Sequence, residues 1–298
     1  MAAQKKHHPF AFPALIVGST ALAFGPWLVR LVGVGPVAAG FWRLSLALPF
    51  LFMLAAVTRQ PVHWPSRKLV LIIAAAAFFF AADLAAWHTG IHMTKLANAT
   101  LFGNTSSFIF AIWGLWMARR APSALQAGGL LLAAVGAAML MGSSAELSAR
   151  NLHGDLLAAF AGILYTGYLI AVERARGSLP PLPLLFLASA FGAVMLLPLS
   201  LAMGEQVIPD HWGYALALAL GSQVLGQGLL VYALGALPPL VIGLTLLTQP
   251  AVSALVGWLV YGERFTMLDW AGAIAIGAAL VLVRLPDRGL RLASPQPS

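Results

Sequence analysis

The 298-residue chain is 60% hydrophobic and only 9% charged, with a mean hydropathy of +0.88. A soluble domain carries about 25% charged residues, so this chain lacks the polar surface that water requires, and we expect it to fold in a lipid bilayer. It has no cysteine, which excludes disulfides, thiolate metal sites and cysteine nucleophiles. The net charge of +8 is scattered among loops rather than gathered on one face, which argues against a nucleic-acid partner.

Ten apolar segments are long enough to cross the hydrocarbon core of a bilayer, which takes about 17–25 residues. Lipid offers no hydrogen-bond partners, so each segment should be a helix. The first segment could also be a signal peptide, because Lys5 and Lys6 precede it, but its apolar run continues through Val29 and has a counterpart in the second half. The predicted spans are 10–31, 36–57, 69–91, 95–117, 124–141, 156–172, 182–203, 212–233, 239–261 and 267–283.

The second half of the chain resembles the first. Gly18 and Gly162 stand at the same offset as Pro36 and Pro180, and these residue types set close packing and turns. Five spans per copy is an odd number, so the second copy enters the membrane from the opposite side. The sequence predicts an all-α membrane protein of ten helices in two inverted five-helix repeats, an arrangement of transporters whose site lies between the halves. The predicted units are an N-terminal repeat 1–147, a C-terminal repeat 148–285 and a polar cytoplasmic tail 286–298.

The loop charges predict one orientation. With the N-terminus inside, the outer loops hold only Arg30, Lys95, Arg150 and Arg264, and the remaining loop lysines and arginines lie on the inner side. Cytoplasmic loops carry the excess of Lys and Arg, so both termini are expected in the cytoplasm and the protein in the cytoplasmic (inner) membrane.

Two ionisable residues fall inside predicted spans. Asp83 lies about 12 Å from the outer end of the third span, at 1.5 Å per residue, and Arg43 lies at a similar depth in the second. Charges at such depth are costly and mark functional sites. One interpretation is a structural ion pair in which Arg43 orients Asp83. The other makes Asp83 a proton or cation-binding group that faces a cavity, and the two are compatible.

Polar side chains also recur on other predicted spans. Asn98 and Thr105 are seven residues apart on the fourth span and share a helix face. Gln223 and Gln227 are four apart on the eighth, and Gln227 is the repeat counterpart of Asp83. Hydrogen bonds between helices would explain these groups structurally. Lining of a solute path would explain them functionally, and their density favours lining.

Further candidates are aromatic, basic or helix-breaking. Trp87 and Tyr165 can form walls of a cavity, although aromatic residues also pack or anchor at the membrane surface. His88 is a possible donor to an anionic substrate group, and its spacing to His92 could hold zinc, but two ligands are too few, so no metal or cofactor is predicted. Pro250 breaks the ninth span, which marks either a packing kink or a site in a repeat transporter.

Motifs for ATP binding and for hydrolase chemistry are absent from the sequence, so we expect neither an ATP-driven pump nor an enzyme.

Several short motifs give the chain a family resemblance. It resembles the drug/metabolite transporter superfamily, specifically the ten-span EamA type, over residues 10–284. The resemblance implies a central cavity, alternating access without ATP and export of small metabolites, amino acids among them. Three departures stand out: Arg119 replaces the acid of the motif at Glu263, Ser106 stands opposite Pro250, and the first span lacks the acid that small multidrug relatives use. The residues that carry the resemblance are Phe41-Trp42-Arg43, Ala97-Asn98-Ala99-Thr100, Gly262-Glu263-Arg264, Gly272 and Gly277.

These observations predict a secondary transporter that exports a small polar metabolite, with an amino acid as the expected substrate. A proton-coupled exporter of organic cations is the alternative, and a membrane-embedded receptor or enzyme is a third hypothesis that no motif supports. The expected partners are a small-molecule substrate and membrane lipid; the oligomeric state is not readable. The predicted cavity residues are Asp83, Trp87, Asn98, Thr105, Tyr165, Gln223 and Gln227, with Arg43 orienting Asp83 and His88 as a possible donor.

The predicted orientation can be tested with reporters. Alkaline phosphatase fused after Ser298 should be inactive and a fluorescent protein fused there should be bright, because disulfides do not form in the cytoplasm. The same two reporters placed after Ala145, in a predicted outer loop, should give the reverse pattern. An active phosphatase after Ser298 would contradict the orientation.

Overall fold

A computed structural model describes residues 9–94, 96–119, 121–142, 149–261 and 267–284. These residues form helices joined by short loops, with no strand among them. In chain order the helices are α1 (Ala11–Ala23), α2 (Gly25–Leu31), α3 (Pro36–Ser45), α4 (Leu48–Val57), α5 (Arg67–Met93), α6 (Leu96–Gly103), α7 (Thr105–Met117), α8 (Ala124–Gly142), α9 (Ala149–Arg176), α10 (Pro181–Ala202), α11 (Trp212–Leu218), a π-helical segment (Ala219–Gln227), α12 (Gly228–Leu234), α13 (Pro239–Leu246), α14 (Gln249–Tyr261) and α15 (Met267–Arg284).

Seven helical segments are long and apolar enough to cross a membrane, so the chain is a multi-pass membrane protein. Two further stretches, in α8 and α15, are apolar but shorter. All of them overlap predicted spans, and the total of ten spans stays a prediction. The seven segments are Ala11–Leu31, Pro36–Val57, Arg67–Met93, Ala149–Arg176, Pro181–Ala202, Trp212–Leu234 and Pro239–Val260.

Several of the predicted spans are composed of two helices rather than one. The first is interrupted at Phe24 and the second after Ser45, and in each case a proline, Pro26 or Pro49, lies in the first turn of the following helix. Proline has no N–H, so it fits the first turn of a helix, where that group would have no intrahelical partner. Pro198, by contrast, lies inside α10 without ending it.

Helices α5 and α9 pack side by side in opposite directions. Near one end, a Cβ added at Gly90 would stand 2.9 Å from the carbonyl oxygen of Gly154. Near the middle, the rings of Phe80 and Tyr168 stack with their centroids 4.4 Å apart. Both aromatic side chains are buried and belong to the main hydrophobic core, so this pair forms the centre of the bundle.

Two helices that the repeat relates, α3 and α10, also pack antiparallel. A Cβ at Gly40 would lie 3.3 Å from Leu196, and a Cβ at Gly192 would lie 2.8 Å from Leu44. From the first contact to the second, the residue number rises from 40 to 44 on α3 and falls from 196 to 192 on α10, so the two helices run in opposite directions. Glycines at these contacts let the two backbones approach closely, which is the main source of helix association in lipid.

The ends of this helix pair define two opposite faces of the molecule. We call the end with loops 32–35 and 203–211 the Glu205 face. There the N–H of Gly35 donates to Gln206 (3.0 Å), and the N–H of His211 donates to Val32 (3.2 Å). The opposite end, with loops 58–66 and 177–180, is the Gln60 face.

A close contact in the bundle can be tested at Gly162 in α9. A Cβ there would stand 2.8 Å from the carbonyl oxygen of Gly103 and 3.1 Å from the backbone nitrogen of Ser106. Because both are backbone atoms, we expect Gly162→Ala to destabilise the protein by about 1–3 kcal/mol. Gly128→Ala in α8 is the matched control, since a Cβ there meets no atom within 4 Å.

Thermal unfolding in detergent measures both variants. Gly128→Ala should leave the midpoint unchanged or raise it slightly, because alanine is the better helix former by about 1 kcal/mol. Equal midpoints for the two variants would contradict the close packing at Gly162.

Candidate functional site

A polar cavity of about 50 Å³ lies in the interior, between helices from both halves of the chain. A cavity needs roughly 10–15 Å³ to hold one water molecule, so this one has room for only a few. Its wall combines an acid, a base, amides, hydroxyls and aromatic rings. The lining residues are Leu22, Arg43, Phe80, Asp83, Trp87, Thr100, Gly103, Asn104, Ser106, Tyr165, Gln227, Leu246 and Gln249.

Asp83 and Arg43 both line this cavity. Among the described side chains, none forms a hydrogen bond or an ion pair with the Asp83 carboxylate, although it attracts Arg43 electrostatically. The ion pair predicted from the sequence, with Arg43 orienting Asp83 directly, therefore stays a prediction. The acid and the base both line the same cavity.

Arg43 is held by other groups. Its Nε donates to Oε1 of Gln223 (3.2 Å), and Nε2 of Gln223 donates to Oγ of Ser189 (2.9 Å). The guanidinium carbon lies 5.6 Å from the centre of the Phe80 ring, within the range of a cation–π interaction. Because a buried cation needs such partners, this set of contacts stabilises Arg43 beside the cavity.

Gln227 lies where the repeat places the counterpart of Asp83, and both residues line the cavity. Its Nε2 donates to the Tyr165 hydroxyl (2.9 Å), and the Tyr168 hydroxyl donates to its Oε1 (3.4 Å). The two tyrosine rings stack 5.4 Å apart and flank Phe80. The amide and the two hydroxyls thus form one hydrogen-bonded group, of which Gln227 and Tyr165 line the cavity together with the acid.

Gln223 and Gln227 belong to the π-helical segment Ala219–Gln227. Short π-helical stretches are rare and frequently occur at functional sites. The sequence indicated the two glutamines by their spacing but gave no signal for the π-helix. Within this segment Gln223 contacts Arg43, and Gln227 contacts the two tyrosines.

Two helix interruptions border the cavity. The break between α6 and α7 falls at Asn104, and the break between α13 and α14 falls at Leu247 and Thr248, just before Pro250. The repeat relates these two positions. The first break has no proline; instead the Asn104 side chain donates to the carbonyl of Thr100 (2.7 Å). The same carbonyl also accepts the backbone N–H of Asn104 (3.0 Å), so Asn104 is bonded to the preceding turn twice.

Trp87 lines the cavity where Gly103 faces it. A Cβ at Gly103 would stand 2.8 Å from Nε1 of the Trp87 indole, so a larger residue would displace the ring. The indole N–H donates to the carbonyl of Ala99 (3.2 Å). This hydrogen bond satisfies the polar end of Trp87 and leaves its ring as an apolar wall.

Of the residues predicted from the sequence, Asp83, Trp87, Tyr165, Gln227 and Arg43 line the cavity. Three others do not. Gln223 lies behind Arg43, Thr105 lies half-buried at the start of α7, and His88 is buried with Nδ1 3.0 Å from the carbonyl oxygen of Pro36. The side chain of Asn98 is outside the described part of the structure.

Four further polar residues line the cavity that the sequence pattern did not predict as site residues: Thr100, Asn104, Ser106 and Gln249. The polar cluster on the fourth span was visible, but a continuous helix would have placed Asn98 and Thr105 on the inward face. The break at Asn104 shifts the helical phase, so the neighbours of Thr105 turn inward instead. For Gln249, its position beside Pro250 was the available signal.

Within the described residues, no three His, Asp or Glu side chains are grouped closely enough to hold a metal ion.

A helical membrane bundle with broken helices around an interior cavity that carries polar groups is typical of repeat transporters, whose sites lie at such breaks. The chain belongs to the EamA-like transporter family, whose sequence profile matches residues 10–142 and 152–285. This match confirms the resemblance to the drug/metabolite transporter superfamily. It also assigns the protein to a family of membrane transporters.

Two further comparisons agree. The chain is 26% identical over 207 residues to a Salmonella typhimurium protein described as the uncharacterized inner membrane transporter YicL, and the match covers 66% of this chain and 67% of YicL. A solved crystal structure matches 93% of this chain and 97% of its own length with a TM-score of 0.75 and 12% identity. At that identity the likeness shows a shared fold.

The support around Arg43 can be tested by substitution at Gln223. Gln223→Leu removes the acceptor of the Arg43 Nε–H, and we expect a loss of about 1–3 kcal/mol, because a buried donor then lacks its partner. Ser189→Ala is the control, since it removes only the neutral hydrogen bond behind Gln223. Unfolding midpoints in detergent should fall by several degrees for Gln223→Leu and by clearly less for Ser189→Ala. Similar shifts would contradict the role of Gln223 in holding Arg43.

Proposed function

We propose that the protein is a secondary transporter that moves a small polar metabolite, in the first place an amino acid, by alternating access through the central cavity. The observation that carries this proposal is that an acid and a base line the same cavity. Asp83 faces it without a described hydrogen-bond partner, and Arg43 faces it while its Nε is bound to Gln223. An ammonium group can meet Asp83 and a carboxylate can meet Arg43, as a zwitterion requires.

The rest of the wall fits such a substrate. The amides of Gln227, Asn104 and Gln249 can donate to or accept from polar groups, and the rings of Phe80 and Trp87 provide apolar contact for a side chain. The cavity holds only a few waters in this conformation. A solute of amino-acid size therefore enters only when the helices move apart, which links binding to the conformational change.

The packing supports two inverted five-helix repeats and hence ten spans, with units 1–147 and 148–285 followed by a tail 286–298. The related helices α3 and α10 run antiparallel, as inverted repeats require. The related breaks at Asn104 and at Leu247–Thr248 border one cavity. Inverted halves that rock around such a site expose it to each side of the membrane in turn.

The sequence supports a direction and an orientation. We place both termini in the cytoplasm from the distribution of loop Lys and Arg, which makes the Glu205 face the outer one. The relative YicL is described as an inner membrane transporter, which favours the inner membrane for this chain too. The chain has no ATP-binding motif, so transport would draw on the substrate gradient or on an ion gradient.

One observation favours a second candidate, a proton-coupled exporter of organic cations. Asp83 stands near the aromatic rings of Phe80, Trp87 and Tyr165, and a carboxylate among aromatic faces suits a cation as well as a zwitterion. Ethidium efflux that depends on a proton gradient and on Asp83 would favour this candidate. Arg43 argues against it, because a second cation in the same small cavity repels the substrate.

Flux measurements test the function. Purified protein in liposomes should take up at least one radiolabelled amino acid faster than empty vesicles do. Asp83→Asn should lower the rate about tenfold or more, because a charge-assisted hydrogen bond of about 1.5–3 kcal/mol is lost. Asp155→Asn is the control; this acid lies outside the cavity and accepts a hydrogen bond from Thr94 that an asparagine can keep.

Two results would count against the proposal. If no amino acid gives flux above empty vesicles, the substrate class is wrong. If Asp83→Asn transports as fast as the unmodified protein, Asp83 does not bind the substrate.

A further inference from the structure

The Glu205 face and the Gln60 face carry the same type of turn. After α10, Gly204 adopts a φ of 68°, and the N–H of Glu205 bonds back into the last turn of the helix at 3.0 Å. After α4, Arg59 adopts a φ of 55°, and the N–H of Gln60 bonds back in the same way at 2.8 Å. Both turns have the hydrogen-bond pattern of a Schellman motif, and each delivers one side chain to the neighbouring helix.

The delivered side chains cap opposite helix N-termini. The Glu205 carboxylate accepts two backbone N–H groups at the start of α3, from Val37 (3.2 Å) and Ala38 (2.8 Å). The Gln60 side chain accepts one, from Leu182 at the start of α10, at 3.4 Å. Glu205, which follows the end of α10, therefore caps the start of α3. Gln60, which follows the end of α4, caps the start of α10.

The two caps differ in strength for two reasons. Glu205 is a carboxylate, and a negative charge at a helix N-terminus interacts favourably with the helix dipole, whereas the Gln60 amide is neutral. In addition, Pro183 occupies in α10 the position that Ala38 occupies in α3, and proline has no N–H to donate. Only one hydrogen bond is thus available to Gln60.

The two ends of the bundle that carry these caps also differ in how closely they are packed. At the Glu205 face, a Cβ on Gly35 would stand 2.5 Å from Glu205, and Nε1 of Trp42 donates to the carbonyl of Val207 (2.6 Å). At the Gln60 face, a cavity of about 580 Å³ opens between the ends of α7, α9 and α12 and the start of α13. The better-capped face is packed, and a large space lies at the other face.

Between the caps, α10 packs along α3 at Gly40–Leu196 and Gly192–Leu44 and then along α4, where the Phe52 and Phe186 rings lie 5.9 Å apart, so the Gly192–Leu44 contact lies about midway between the two caps. Two antiparallel helices that pivot at a central contact separate at one end as they close at the other. Breaking one cap therefore favours the conformation in which the other is formed.

We propose that Glu205 and Gln60 are unequal latches that set the resting conformation of the transporter, with the Glu205 face closed and the Gln60 face the first to open. This inference rests on the alternating access proposed above. Glu205 and Gln60 are positioning residues, since they act through α3 and α10 and lie outside the cavity lining.

Distances between spin labels test the latches without a substrate. The chain has no cysteine, so introduced cysteines carry the only labels. Val34→Cys with Ile208→Cys reports on the Glu205 face, and His63→Cys with Ser178→Cys reports on the Gln60 face. The variants Glu205→Gln and Gln60→Glu are then compared with the unmodified latches in each labelled background.

Glu205→Gln keeps the shape of the side chain and removes its charge. We expect the long-distance population at the Glu205 face to rise about tenfold, an equilibrium change of about 1.4 kcal/mol, while the Gln60 face closes. Gln60→Glu should act in the opposite direction and more weakly, because Pro183 offers no second N–H. Asp210→Asn is the control: it removes a charge from the same loop, where Asp210 accepts from Gln206 (2.9 Å) rather than capping α3.

Three results would overturn the proposal: unchanged distances in Glu205→Gln, equal effects of Glu205→Gln and Asp210→Asn, or a broadening at both faces together, which indicates general loosening. Opposite shifts at the two faces support it. Because these distances require no flux, opposite shifts in a protein that transports no amino acid would support the latches and leave only the substrate assignment wrong.

Discussion

The site depends on how a guanidinium is solvated inside a membrane protein. A buried charge without partners costs several kcal/mol, so Arg43 needs protein groups in place of water. Gln223 and the face of Phe80 meet this need. Because Gln223 takes the Nε–H, the structure keeps the base beside the cavity without consuming the Asp83 carboxylate. An acid and a base can then face one small space, and the proposal of a zwitterionic substrate rests on that arrangement.

The backbone contributes a second constraint. Helices in lipid satisfy their own hydrogen bonds, so an interruption is tolerated only in protein surroundings or beside a polar cavity. The breaks at Asn104 and at Leu247–Thr248 both border the cavity, and the π-helical segment brings Gln227 to the same wall. Irregular backbone from both halves thus converges on one location. Regular packing through glycine contacts, as between α3 and α10, positions these irregular parts.

Much of this was accessible from the sequence. Apolar length predicted the membrane-spanning helices, and the acid and the base inside them, Asp83 and Arg43, both line the cavity, as does Gln227. The sequence did not show where the helices break, and hence which side chains of a span face the cavity. The break at Asn104 has no proline to announce it, so Thr105 was expected inward where Asn104 and Ser106 are found. The Arg43–Gln223 contact joins residues far apart in the chain and depends on a π-helix, which has no sequence signature of its own.

The difference between the Glu205 and Gln60 caps has a consequence for symmetry. Two identical subunits related by a two-fold axis in the membrane plane would carry the same cap at both faces, and neither face could be preferred. A single chain removes that restriction, because each half can mutate alone. The third residue of α10 is Pro183 where that of α3 is Ala38, and Gln60 caps α10 where a carboxylate caps α3, so the two halves differ at their caps. A single chain with two unlike halves thus permits a preferred resting state that a symmetric pair of identical subunits could not have.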